Sequence, residues 1–417
     1  MLPLFDFAGE LETEPFVFED EIKSNESLSL EALRTVSTAR RDMRSTRGEI
    51  RDPAKASERT RACEAYVPLI ESLCSKKDNL QISNRSGGLK FKWSSPLEGG
   101  DVMYKLKGLD RALEQERGMA WMLLAARIRD EAALAVDQCP RAPVGPERHD
   151  DDDAEATGRR HGGGVETPIG DKGAKRQGGE PDTHTPRSPG PVLGDAAPAV
   201  ATTLRRAAGV YKHASTQVLP SLVPELDAER PNELLPSMAE CMYCVCLAEA
   251  QAATARRAEE RGTNGDLVAK LHLGAHDLYK RADAILNENI RDFNRISRKL
   301  QAYILLGASV HRARAYRCAA EEAFAASDIG EAIACCDAAN KHLARGRDAA
   351  GESDRWQAAA LEESEALMNL RKKYVTENEV VYFERVPDRP AKKLPEGKVI
   401  VSEIEHVPVV VEALGVE

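Results

Sequence analysis

His272 and His276 stand four residues apart, the spacing that lets two imidazoles on one helical face share a zinc ion. The arrangement goes no further. No glutamate intervenes as in His-Glu-x-x-His and no third ligand is obvious, so both read as ordinary surface or packing histidines. Cys241, Cys244 and Cys246 form the tightest cluster among nine cysteines, yet on a helix they would not share one face. In a reducing compartment they serve as small buried hydrophobes. His149 with Asp150–Asp153 is a weak collector of divalent cations at best and reads as a solvated charge run in a loop. Thr185-Pro186 and Ser188-Pro189 are minimal proline-directed phosphorylation sites, of a kind common by chance, where phosphate would change local charge and little else. No Gly-x-Ser-x-Gly elbow, Lys-Ser/Thr phosphate loop or dinucleotide fingerprint is present. The residues thus point to no enzyme, and neither a metal nor a cofactor is expected.

Composition indicates what must hold these residues. Aromatic residues make up 5% of the 417 positions and charged residues 30%, which suits long surface helices that cross closely through small side chains. A formal net charge of −10 argues against nucleic acid as the main ligand, because that binding needs a dominant positive field. No apolar run approaches the ~18–20 residues that span a bilayer. Met1–Phe7 is followed by Glu10, Glu12 and Glu14 rather than by the charge pattern of a signal or transit peptide, so a cytoplasmic address is expected. The basic pairs Arg40-Arg41, Arg256-Arg257 and Lys372-Lys373 suggest at most a weak peripheral contact with anionic membrane, at about 1 kcal/mol per basic residue.

Along the chain, Phe5, Phe7, Phe16 and Phe18 alternate in what reads as a strand or extended strap. Helical spacing begins near Ser29, with Leu30, Leu33, Val36 and Met43 on one stripe. Asp52-Pro53 starts a second helix, which Pro68 should kink or end. Leu89 to Trp93 alternates, and a long helix then runs from about Leu109 to Val136. Residues 138–199 hold 20 glycines and prolines and read as a disordered insertion within one domain, dividing an N-terminal part, 1–137, from a C-terminal part, 200–417. Helical pattern resumes near Val200 and continues to Thr376 as stacked hairpins. The hairpin from Ala302 to Leu343, with its turn at Ser327–Glu331, resembles a tetratricopeptide unit. Past Asn378 the period falls to two, which predicts an extended tail lying along the helical body.

Several segments resemble one family in its own order. Phe91-Lys92-Trp93 looks like the Phe-x-Trp element of BRO domains, and Ala207-Ala208-Gly209-Val210-Tyr211-Lys212-His213 with Val218-Leu219-Pro220 is similar to "AAGIFxHL…LP". Ala248-Glu249-Ala250-Gln251 matches "AEAQE", Leu267 to Leu271 matches "LIAKLA", and Asn378 to Pro387 resembles "N-x-I-Y-x-x-x-V-P". The chain is identified as similar to Alix- and Brox-type endosomal sorting proteins, most of all to Brox-type proteins that are little more than the domain.

The resemblance implies an all-α, elongated and curved helical solenoid with a tetratricopeptide-like core and short extended or β segments at both ends. It implies a non-catalytic scaffold whose groove captures the amphipathic C-terminal helix of an ESCRT-III subunit of the Snf-seven class, with recruitment to endosomal membranes. In Alix-type members a phenylalanine and two aliphatic residues anchor the groove. The aliphatic pair falls on Leu267 and Leu271, and the phenylalanine position on Thr254, a departure that predicts a shallower pocket. The end Leu414-Gly415-Val416-Glu417 lacks the cysteine of a prenylation box, so no prenyl anchor is expected. The alternative is a general tetratricopeptide-like adaptor for another peptide, with no ESCRT role.

Overall fold

The computed structural model describes residues 11–25, 28–45, 52–82, 88–99, 102–108, 110–142, 189–351 and 353–409. Phe5, Phe7, His149–Asp153, Thr185 and Pro186, Ser188 and the last eight residues lie outside that set.

A single turn, α1 (Phe18–Glu21), leads through the short strand β1 (Ile22–Lys23) into α2 (Leu30–Ser45) and α3 (Pro53–Ser75). The strands β2 (Gln81–Ile82), β3 (Lys90–Ser94) and β4 (Met103–Lys107) follow, then the long α4 (Asp110–Asp137). A two-residue ribbon joins β5 (Arg141–Ala142) to β6 (Gly190–Pro191). Beyond it come α5 (Ala197–His213), α6 (Pro236–Glu260), α7 (Gly265–Glu288), α8 (Arg298–Ala325), α9 (Ile329–Ala349) and α10 (Asp354–Glu377). From α2 to α10 each helix packs chiefly on the next in sequence, so the protein is an all-α solenoid, and among the described residues its sheets are two-stranded ribbons.

Local chemistry sets the boundaries. Asp52 caps α3 by accepting the Ala54 N–H at 2.9 Å, with Pro53 in the first turn. Asp328 caps α9 through the Glu331 N–H, after Ser327 reverses the chain at φ 64°. Pro68 does not end α3, because Tyr66, Val67, Ile70 and Leu73 are all buried and hold the helix across the missing hydrogen bond. In β3 the alternation buries Phe91 and Trp93, which pair with Leu106 and Tyr104 of β4. Phe16 and Phe18 pack with Phe91 rather than forming a strand.

Glu116 of α4 is fully buried and gathers Arg40 Nε at 2.8 Å, Tyr66 OH at 2.9 Å and Trp93 Nε1 at 2.6 Å. Four elements thus meet on one carboxylate. Arg40 therefore belongs to the core and not to a lipid-facing basic pair. Arg256 is corrected in the same way, since it is buried and donates to the Pro191 and Gly190 carbonyls.

Most of the expected insertion, 138–199, falls outside the described residues, and its margins are built structure. Val192 N–H donates to the Pro140 carbonyl at 2.7 Å and Leu193 is buried against Val200 and Leu204. Apolar residues at the return end supply that burial.

The tail does not become extended at Asn378. Asn378–Tyr382 forms one π-helical turn that Phe383 closes at φ 56°, while the Asn378 amide holds Glu384 by two 2.9 Å hydrogen bonds. From there an extended strap crosses the solenoid. Glu331 of α9 accepts the Ala391 and Lys392 N–H groups, Lys270 of α7 accepts Lys398, and Arg205 of α5 accepts Ile404. The strap reaches α4, where His406 packs edge-on to Trp121 at 5.0 Å.

Candidate partner-binding site

The site predicted from sequence lies on the α6–α7 hairpin. The chain turns at Gly262, in the left-handed region at φ 66°, and Asn264 caps α7 by accepting the Asp266 N–H at 2.8 Å. Because α6 ends at Glu260 and α7 begins at Gly265, residues equally far from the turn stand level. Thr254 is therefore level with Leu271, and Ala258 with Leu267.

The structure brings these positions onto one hairpin but exposes them unequally. Leu267 is 37% exposed and Leu271 only 3%. Thr254 is half-buried and donates its hydroxyl proton to the Ala250 carbonyl at 2.9 Å. Leu267 is thus open on α7, Leu271 is sealed into the packing, and Thr254 and Ala258 are partly buried on α6. An exposed ion pair, Lys270 with Asp266 at 2.6 Å, flanks Leu267.

The strap passes one turn further along the same hairpin. Gln251 is fully buried, and its Nε2 donates to the Lys398 carbonyl at 2.8 Å and the Leu271 carbonyl at 3.1 Å, while Oε1 accepts the Ile400 N–H at 3.1 Å. Gly274 allows the approach, since a Cβ there would stand 2.5 Å from the Lys398 carbonyl oxygen.

Two residues earlier, Glu249 receives Arg129 at 2.9 and 2.5 Å and the Tyr303 hydroxyl at 2.7 Å, all fully buried. Burial disfavours the Arg129 charge, but Glu249 outweighs it and holds that guanidinium pKa well above its ordinary value. Sequence reasoning matched Glu249 and Gln251 to a motif without seeing that they bind the fold together. Isolated polar residues in an alanine-rich helix were the available signal.

His272 and His276 do not converge. His276 Nδ1 meets the Ala308 carbonyl at 2.8 Å, whereas His272 is buried, with Nε2 3.0 Å from Glu259 and Nδ1 3.1 Å from His311 Nδ1. Burial lowers the His272 pKa against the pull of Glu259, and burial with His272 and Arg314 lowers His311 further. With both imidazoles neutral, His272 donates to Glu259 and accepts from His311, which leaves His311 Nε2 as a buried acceptor with no partner among the described residues. For Glu259 burial acts upward, but His272, Arg317 and Arg314 hold its pKa well below the usual range. Among the described residues no group of three His, Cys, Asp or Glu could hold a metal ion, and no helix is long and apolar enough to cross a membrane. Cys241, Cys244 and Cys246 are all buried.

A solenoid of sequential helical hairpins, strapped by its own C-terminal segment, is a scaffold of the BRO1 class. The model of the BRO1-like domain matches residues 196–411, more than half of the chain, and the protein belongs to this family. It is 28% identical over 207 residues to the BRO1 domain-containing protein BROX of Homo sapiens, covering 47% of this chain and 49% of that one. With BROX of Danio rerio it shares 28% identity over 204 residues, 46% of this chain and 48% of that one. The chain thus spans about half the length of the curated relatives it matches. Among solved structures, an ALIX BRO1 CHMP4C complex superposes with a TM-score of 0.60 at 15% identity, over 98% of this chain and 97% of that one. ALIX in complex with the SIVmac239 PYKEVTEDL late domain gives 0.63 at 15% identity, over 98% of this chain and 50% of that one. These structural likenesses establish the fold.

Proposed function

We propose that the chain is a non-catalytic scaffold that captures the amphipathic C-terminal helix of an ESCRT-III subunit of the Snf-seven class on its α6–α7 hairpin. The observation that carries the reading is Leu267, an apolar side chain left open at a position where the family resemblance places a groove anchor. The solved ALIX BRO1 complex with CHMP4C, sharing this fold, supports the choice of partner. Helix-in-groove recognition needs only a few apolar anchors. Leu267 is the open anchor, Thr254 a small second contact, and Leu271 the floor that sets the height of Leu267. Full burial of a leucine is worth roughly 1.5–3 kcal/mol, and Leu267 has only part of its surface left to bury, so the affinity is modest. Capture of such a helix brings the cytoplasmic protein to endosomal membranes. Arg41, Arg257, Lys372 and Lys373, the members of the basic pairs that remain outside the core, supply at most a weak contact with anionic lipid.

Isothermal titration with ESCRT-III C-terminal helices, comparing wild type with Leu267→Asp, tests the proposal. Leu267→Asp should weaken binding about tenfold while the thermal melt stays unchanged, because the site is already partly solvated. Leu271→Asp is the wrong probe, since a charge placed at a 3% exposed position destabilises the hairpin itself. Wild-type protein that binds none of these helices, but binds another peptide, would leave the general adaptor standing instead.

A further inference from the structure

Between the strap and the helices lies a bowl of about 1050 Å³, walled by α7, α8, α9 and strap residues between Asp388 and Gly397. It is separate from the surface around Leu267. Six cations line it: Arg312, Lys341 and Arg345 from the helices, and Arg389, Lys392 and Lys393 from the strap. Only three carboxylates, Asp277, Asp388 and Glu396, share the wall. In a chain of net charge −10 such a local excess is not a by-product of composition. Lys392 is taken up by Glu322 at 2.9 Å, but among the described residues Arg312, Lys341, Arg345, Arg389 and Lys393 have no ion-pair partner. Arg312 Nε is moreover a buried donor that no acceptor meets. His342, stacked on Tyr316 with ring centroids 5.5 Å apart, registers the resulting field. Burial first, then Arg312 and Arg345, push its pKa down to about 4, so at neutral pH it adds no charge and remains a hydrogen-bonding group.

We infer that this bowl binds a small polyphosphorylated ligand, a ring or chain bearing clustered phosphates, held between the arginines of α8 and α9 and the basic residues of the strap. Guanidinium groups match phosphate oxygens bidentately, and lysines on an extended segment adapt to the second phosphate. The volume suits a ligand of that size. Because one wall is helix and the other strap, the ligand also pins the strap to the body. The same chemistry is available from a free polyphosphate or from a phosphorylated lipid headgroup.

Titration of the full chain with inositol hexakisphosphate at physiological salt should show one saturable site. Arg312→Gln with Arg345→Gln should weaken it about tenfold or more, because charge-assisted contacts are lost. The charge-matched pair Arg34→Gln and Lys55→Gln, in the distant α2–α3 cleft, should leave it intact. Hydrogen exchange of residues 391–398 should slow on binding in wild type and not in the first variant. Flotation with vesicles carrying phosphatidylinositol bisphosphate, if it fails in the first variant alone, supports the headgroup as the source, whereas soluble binding without flotation supports the free polyphosphate. Absence of both, or equal loss in the two charge-matched variants, overturns the inference.

Discussion

Replacing Gln251 with leucine keeps the buried volume nearly constant and removes the clamp between α6, α7 and the strap. Three hydrogen bonds disappear, to Lys398, Leu271 and Ile400. Each contributes about 1 kcal/mol net. The Leu271 carbonyl keeps its place in the α7 ladder, and the backbone of the exposed strap residues Lys398 and Ile400 can turn to water, so the cost is about 2–3 kcal/mol and falls on the strap. The strap should then open about 30- to 150-fold more often around Ile400, whose N–H Gln251 accepts. Ala391, Lys392, Lys398 and Ile404 should stay better protected, because Glu331 and the Lys270 and Arg205 carbonyls hold their N–H groups independently. Hydrogen-exchange mass spectrometry on peptides covering 395–404 reads this directly, with the global melt as the control. Unchanged protection at Ile400 would refute the clamp, and loss of protection throughout the solenoid would show that Gln251 supports the core instead.

Glu249→Ala removes the carboxylate that neutralises the fully buried Arg129 guanidinium and should cost about 3–5 kcal/mol in urea denaturation, with much of it recovered when Arg129→Met is added. Glu233 is buried with its carboxylate oxygens on Ser95 and the Leu97 N–H, and burial lifts its pKa to about 7. Its folded pKa lies above the unfolded value, so its stabilising contribution is full below about pH 4.5 and is lost as pH rises through about 7, a swing of about 3 kcal/mol that Glu233→Gln should abolish in melts from pH 4 to 8. Thr254→Phe restores a large apolar anchor beside Leu267 and should tighten capture of the ESCRT-III helix several-fold in titration; weaker binding would place the partner elsewhere.

The helices were legible because their periodicity and caps are local properties. Asp52-Pro53, the turn at Ser327–Glu331 and the alternation of Phe91 and Trp93 each predict a feature that the fold contains. Partners distant in sequence were not legible. Arg40 and Arg256 look like surface charge until Glu116 and the Gly190–Pro191 carbonyls arrive from remote segments to bury them. His272 resembles half of a metal pair until Glu259 and His311 close around it. At the candidate site, the family resemblance placed Leu267 and Leu271 together as groove anchors, yet packing sealed one and left the other open. Helical spacing fixes direction around one axis but not what the neighbouring helix and the strap will cover.

Whether a foreign helix lies on the α6–α7 hairpin can be read by photo-crosslinking. A benzophenone side chain placed at Leu267, and in a separate protein at the similarly exposed Leu361 of α10, would be irradiated with an ESCRT-III C-terminal helix. The account predicts an adduct from position 267 that excess unlabelled helix competes away, and none from position 361. Adducts from 361 alone, or equal and uncompeted adducts from both, would contradict it.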